Sequence, residues 1–104
     1  MAEVLLCQRN DLESGTARRF DHEGTRIALA RVGDQFFAIG DRCSHEDFSL
    51  SLGAVHVDTC EIECERHGAS FDLTSGAAVS FPATVPVATY EVIVDGDDVK
   101  VVLP

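Results

Sequence analysis

Apolar and polar residues alternate in short runs along this chain, and nowhere do they keep the three-to-four-residue spacing of an amphipathic helix. The period-two pattern predicts a strand over Glu3 to Gln8, followed by a turn through Asp11-Leu12-Glu13-Ser14-Gly15. Arg18-Arg19-Phe20 then leads through His22-Glu23-Gly24 into an alternating run from Ile27 to Val32. Gly33-Asp34 is expected to turn the chain into a hairpin with Gln35-Phe36-Phe37-Ala38-Ile39, because glycine accepts the positive φ that tight hairpins need. At the far end, Tyr90 to Val94 and Val99 to Leu103 form a second hairpin around Asp95-Gly96-Asp97-Asp98. Between these, from about Asp41 to Pro82, the strand rhythm breaks, with a turn marked at Thr74-Ser75-Gly76. The expected architecture is all-β, a small sandwich or barrel with a loop-built site mounted on one end.

Length and charge narrow this picture. The 104 residues read as one domain, 1–104, without repeats, linkers or low-complexity stretches. No apolar run approaches a membrane span. The N-terminal Met1-Ala2-Glu3-Val4-Leu5-Leu6-Cys7-Gln8 lacks the basic start and apolar length of an export signal, so a cytoplasmic location is expected. Net charge is −10 and unevenly placed. Residues 1–42 carry six basic and seven acidic side chains; residues 43–104 carry eleven acidic and two basic, Arg66 and Lys100. That distribution argues against nucleic acid or anionic lipid as a partner, since both require positive charge. It suits either steering toward a basic patch on a protein partner or simple solubility.

The interrupted segment holds the candidate chemistry. Cys43-Ser44-His45 and, after eighteen intervening residues, Cys64-Glu65-Arg66-His67-Gly68 each supply one thiolate and one imidazole. A zinc finger segregates its Cys pair from its His pair. Here the two ligand types alternate within each pair, which suits two inequivalent irons, one held by both thiolates and one by both imidazoles. Cys43, His45, Cys64 and His67 are therefore the candidate ligands of a [2Fe-2S] cluster, with a structural zinc module for protein interaction as the competing reading. The other thiols and imidazoles fit ordinary roles. Cys7 follows Val4-Leu5-Leu6 and is expected to be a buried thiol. Cys60, Ile62 and Cys64 share one face on strand geometry, so Cys60 is expected to pack beneath the site. His22 and His56 are expected at the surface.

These residues resemble a known family. Cys43-Ser44-His45, Leu52-Gly53, Cys64-x-x-His67-Gly68, Ser70-Phe71-Asp72, Thr74-Ser75-Gly76 and Phe81-Pro82 follow the pattern of bacterial Rieske-type ferredoxins, and the flanking Asp11-Leu12, Gly15, Ala38-Ile39 and terminal hairpin match as well. The resemblance covers almost the whole chain. It implies the Rieske fold, with three stacked antiparallel sheets and a cluster-binding subdomain inserted over about 41–82. By the same resemblance, Cys43 and Cys64 bind the inner iron, His45 and His67 bind the outer iron, and Pro82 belongs to a loop covering the cluster. It further implies a monomeric one-electron carrier that is not itself an enzyme, taking electrons from a flavin-dependent reductase and passing them to a terminal oxygenase. A ferredoxin of iron–sulfur assembly and the small subunit of a nitrite reductase are alternatives within the same fold.

Departures from the pattern carry information. The usual Cys-Pro of the second loop is Cys64-Glu65 here, and the long interval between the pairs suggests an extended loop near Val55 to Thr59. High-potential Rieske proteins link their two loops by a disulfide. The matching positions are Phe48 and Arg66, so that bond cannot form. Hydroxyls that lie near cluster sulfur in those proteins are replaced by Ala69 and Phe71, with Ser70 one residue out of register. Losing hydrogen bonds to sulfur lowers the potential, so a value near the low end of the Rieske range is expected.

Overall fold

A computed structural model describes residues 2–42, 49–64, 68–80 and 85–103. The expected strand runs form. Strands β1 (Ala2–Gln8), β2 (Thr16–His22), β3 (Thr25–Val32) and β4 (Gln35–Gly40) precede the site, and β8 (Thr89–Asp95) and β9 (Asp98–Leu103) follow it. They make one antiparallel sheet in the order β1-β9-β8-β4-β3-β2. Its two halves meet through only Ala38 opposite Tyr90 and Ile39 opposite Thr89, so the sheet behaves as two three-stranded leaves hinged at that seam. The Gly33 turn is as expected, with φ at +62° and β3 and β4 paired from Val32–Gln35 outward.

The interrupted segment is more ordered than its sequence rhythm suggests. It contains a second antiparallel sheet, β5 (Ala54–His56), β6 (Glu61–Glu63) and β7 (Ser70–Asp72), preceded by a single 3-10 turn at Leu50–Leu52. Near Val55 to Thr59, where a lengthened loop is expected, the chain forms a hairpin: Val55 and His56 pair with Ile62 and Glu61, and residues 57–60 turn. These strands are three residues each, too short for alternation to announce them against the surrounding turns. Together with the two leaves they make the three stacked layers of the expected all-β fold.

Strand β3 explains why the layers stack. Its Ile27 and Leu29 are fully buried in a core with Phe36, Ala38, Val99, Val101 and Leu103 from the leaves. Its Ala28 and Ala30, on the opposite face, are equally buried in a second core with Leu50, Ile62, Cys64, Phe71 and Leu73 from the small sheet. A strand covered on both faces reads as a continuous apolar run, as Ile27 to Ala30 does. Alanine on the second face keeps the β3 surface low, so that the small sheet can approach it closely. Cys7 lies in the first core, as expected for a buried thiol, and burial pushes its thiol pKa up, with Asp11 adding to the effect.

Because the two cores lie on opposite faces of β3, they can be perturbed separately. Val99→Ala removes two methyl groups from the first core and should cost about 2 kcal/mol. Urea denaturation checks the loss, and hydrogen exchange across residues 60–73 at native conditions should remain unchanged.

Candidate metal centre

Each candidate ligand stretch is held by its stems. The first is closed at its base by a bridge between Arg42 and Ser49 and by the Leu50 N–H donating to the Asp41 carbonyl at 2.6 Å. Cys43 and His45 lie within residues 43–48, outside the described residues. The Asp41 side chain is fully buried. It accepts hydrogen bonds from the Ser49 hydroxyl and, at 2.9 Å, from the Ser51 N–H. The guanidinium groups of Arg26 and Arg19 approach its Oδ2 at 3.5 and 3.8 Å. An ionised carboxylate out of water requires such pairing, because burial without it costs several kcal/mol.

The second stretch projects from the β6–β7 hairpin. Cys64, at the end of β6, is fully buried. Its N–H donates to the Ala69 carbonyl at 2.6 Å, and the Gly68 N–H donates back to the Cys64 carbonyl at 2.9 Å. Gly68 has φ at +71°, the left-handed conformation that lets the chain close so short a loop. His67 lies in residues 65–67, outside the described residues. Ser80 clips this loop from the side: its hydroxyl accepts from the Ser70 N–H at 2.9 Å and donates to the Gly68 carbonyl at 3.3 Å. The chain then enters residues 81–84, which include Pro82 and are also outside the described residues. It returns with the Val87 N–H donating to the Gly76 carbonyl at 2.9 Å.

The stems converge. Gly53, just after the first stretch, lies so close to β6 that a Cβ at this position would sit 1.8 Å from the Glu63 carbonyl oxygen. The first stretch therefore exits beside the residue preceding Cys64. The stems at Gly53, Cys64 and Ser80 meet at one end of the small sheet, while Val87 rejoins it at Gly76. One side of the small sheet is acidic: Asp58, Glu61 and Glu63 line a shallow groove with His56 that runs from Glu63, beside Cys64, to the β5–β6 turn at the opposite end, and His56 Nε2 lies 2.9 Å from Glu63 Oε1. Below it, Asp72 folds the Thr74–Gly76 turn by accepting from both the N–H and the hydroxyl of Thr74, which holds its carboxyl below the usual range.

Cys64 sits among Leu50, Ile62, Ala69 and Phe71, with no surface of its own exposed. Such dry surroundings disfavour a bare thiolate, and a bound metal removes that penalty by neutralising it. Two Cys and two His side chains in this pattern fit an iron–sulfur cluster, and Cys64, the one of the four that is described, sits at a loop base held by two backbone hydrogen bonds. The remaining thiols do not share this setting. Cys60 packs against the same core but is only half-buried, and its φ of +57° breaks the strand geometry one residue before β6. It nevertheless packs against the apolar cluster that holds Ile62 and Cys64, as expected. Desolvation, reinforced by Asp72 and Glu61, raises its thiol pKa. His22 and His56 are at the surface, with side chains 39% and 44% exposed.

The sequence model of the Rieske [2Fe-2S] domain matches residues 2–91. The chain belongs to the Rieske [2Fe-2S] domain family. Within it, the chain is 43% identical over 104 residues to the 3-phenylpropionate/cinnamic acid dioxygenase ferredoxin subunit of Shigella flexneri serotype 5b, covering all of this chain and 96% of that one. The ferredoxin of carbazole 1,9a-dioxygenase from Nocardioides aromaticivorans IC177 superposes with a TM-score of 0.94 at 35% identity, covering 97% of each chain. A chain from a complex of reduced oxygenase and oxidised ferredoxin in carbazole 1,9a-dioxygenase superposes with a TM-score of 0.89 at 40% identity, covering 95% of this chain and 91% of that one. The match over nearly full lengths agrees with the Rieske resemblance of the sequence motifs. Among the described residues, no helix is long and apolar enough to cross a membrane.

Gly53→Ala places a methyl group against backbone rather than a mobile side chain, so the β6 stem must move. The variant should lose about 1–3 kcal/mol of stability. Hydrogen exchange should rise at the Cys64 amide, and chemical denaturation checks the energetic loss.

Proposed function

We propose that the protein is a one-electron carrier that passes electrons from a flavin-dependent reductase to a terminal oxygenase. The observation that carries this reading is the full-length likeness to dioxygenase ferredoxins, combined with a chain that keeps both Cys-His pairs. In this reading Cys43 and Cys64 hold one iron of a [2Fe-2S] cluster, His45 and His67 hold the other, and the cluster supplies reversible one-electron chemistry. The protein acts as a monomer in the cytoplasm, where thiols stay reduced.

The surrounding residues do the rest of the work. Ala69 and Phe71 are fully buried and carry no hydroxyl, so the second stretch presents apolar groups where other Rieske proteins offer donors to sulfur. The Ser70 backbone does not restore a donor there, because its N–H is committed to the Ser80 hydroxyl. Fewer donors to sulfur leave the reduced, more negative form less stabilised. The acidic groove along the small sheet, which reaches the second stretch at Glu63, gives part of the charge asymmetry a location, and it matches a partner surface that is basic.

Film voltammetry should give a midpoint near the low end of the Rieske range, roughly −150 mV. A midpoint well above zero contradicts the low-potential reading. His45→Ala and His67→Ala should each abolish the cluster absorbance, and a retained visible spectrum in either variant removes that residue from the ligand set. Electron transfer to the oxygenase, followed by stopped-flow, should slow as salt rises toward 1 M because screening shortens the reach of the acidic groove. A flat salt response would reduce the charge asymmetry to solubility.

A further inference from the structure

Asp41 is the one fully buried charged side chain among the described residues, and its place in the chain is specific. It stands two residues before Cys43, at the point where β4 ends and the first ligand stretch begins. Its backbone joins the sheet on one side, with its N–H donating to the Arg26 carbonyl at 3.1 Å. On the other side its carbonyl and its carboxylate take three groups from the segment where that stretch ends: the Leu50 N–H, the Ser49 hydroxyl and the Ser51 N–H. The Ser49 and Ser51 hydroxyls are themselves 2.8 Å apart, so both are fixed by one network. Arg19 of β2 and Arg26 of β3 face Oδ2, which ties the charge to the two strands beneath.

A residue serving only the fold would not need to hold both ends of a single loop. Apolar side chains would join β4 to the 3-10 turn at lower desolvation cost, since replacing a buried ion pair by apolar groups is often neutral or stabilising. What a buried carboxylate adds is direction: it fixes the two flanks of the first ligand stretch, at Asp41 and at Ser49–Ser51, relative to each other and to β2 and β3. We propose that Asp41 is the positioning residue of the first ligand stretch, setting the separation of its stems through Ser49 and Ser51 and its seat on the sheet through Arg19 and Arg26. This rests on the assignment of Cys43 and His45 as ligands. Removing the charge loosens the half of the ligand set that those two residues supply, while the Cys64 stem keeps its own hydrogen bonds.

The test uses Asp41→Asn, which preserves shape and an acceptor oxygen but removes the charge facing the two guanidinium groups. Val99→Ala, in the core on the far face of β3, serves as the control for stability loss alone. Three readouts are followed on the full chain: iron loss to an excess of chelator, the EPR spectrum of the dithionite-reduced protein, and hydrogen exchange of residues 49–53. Asp41→Asn should lose iron about ten- to a hundred-fold faster than the unmodified protein, as removal of groups that orient ligands generally does. It should also shift the EPR spectrum and raise exchange at Leu50 and Ser51. Val99→Ala should leave all three unchanged. Should Asp41→Asn not fold, Ser49→Ala, which removes one donor to Oδ2 and keeps the charge, should move iron loss in the same direction by a smaller factor.

Iron loss in Asp41→Asn or Ser49→Ala equal to that of Val99→Ala, with an unaltered EPR spectrum, overturns the positioning role. An unmodified protein that holds no iron overturns the ligand assignment itself, and the inference with it. The two failures are thus distinguishable.

Discussion

The arrangement depends on one strand being buried on both faces. Ile27 and Leu29 of β3 close the core between the two leaves, while Ala28 and Ala30 receive the small sheet on the other side. The small sheet has strands of three residues and could not persist alone, because so few pairs do not repay the ordering of the chain. Its stability comes from pressing Leu50, Ile62, Phe71 and Leu73 onto that alanine face. A larger side chain at position 28 or 30 would lift the sheet that carries Cys64. The first constraint on the candidate metal centre is therefore steric and lies in the scaffold, in the layer that Cys64 packs against.

Polar contacts then set direction where packing sets only distance. Asp41 ties the stems of the first candidate stretch to β2 and β3, Ser80 clips the base of the second through Ser70 and Gly68, and Gly53 lies against the β6 backbone at Glu63. All are short-range devices at loop bases, and none lies at the tip. That division is physically sensible for an electron carrier. Asp41 acts from a position fully withdrawn from water, while Ser80 holds its loop base at the surface.

Much of this was legible in the sequence because the relevant signals are local. Alternation over Glu3 to Gln8, Ile27 to Val32 and the terminal hairpin needs only neighbouring residues to be read, and the two Cys-His pairs stand out by composition alone. The small sheet was less legible. Its strands, at Ala54–His56, Glu61–Glu63 and Ser70–Asp72, are shorter than one reliable alternation, and Cys60 interrupts the face they would announce. Asp41 and Ser80 were not legible as site residues at all. Their meaning lies in partners far along the chain, Arg19 and Arg26 for one and Gly68 for the other, and these meet only when the strands are paired in the observed order. A charged residue next to a ligand motif gives no sign in sequence of whether it will face solvent or the core.

In the function proposed above, alternation of thiol and imidazole within each pair selects a mixed-ligand iron cluster over zinc. Pulsed EPR of the dithionite-reduced protein, with metal analysis of the same sample, tests it most directly. The account predicts about two irons per chain and a rhombic signal with nitrogen hyperfine coupling from directly bound imidazoles. One zinc per chain with no signal, or a cluster signal without bound-nitrogen coupling, would contradict it.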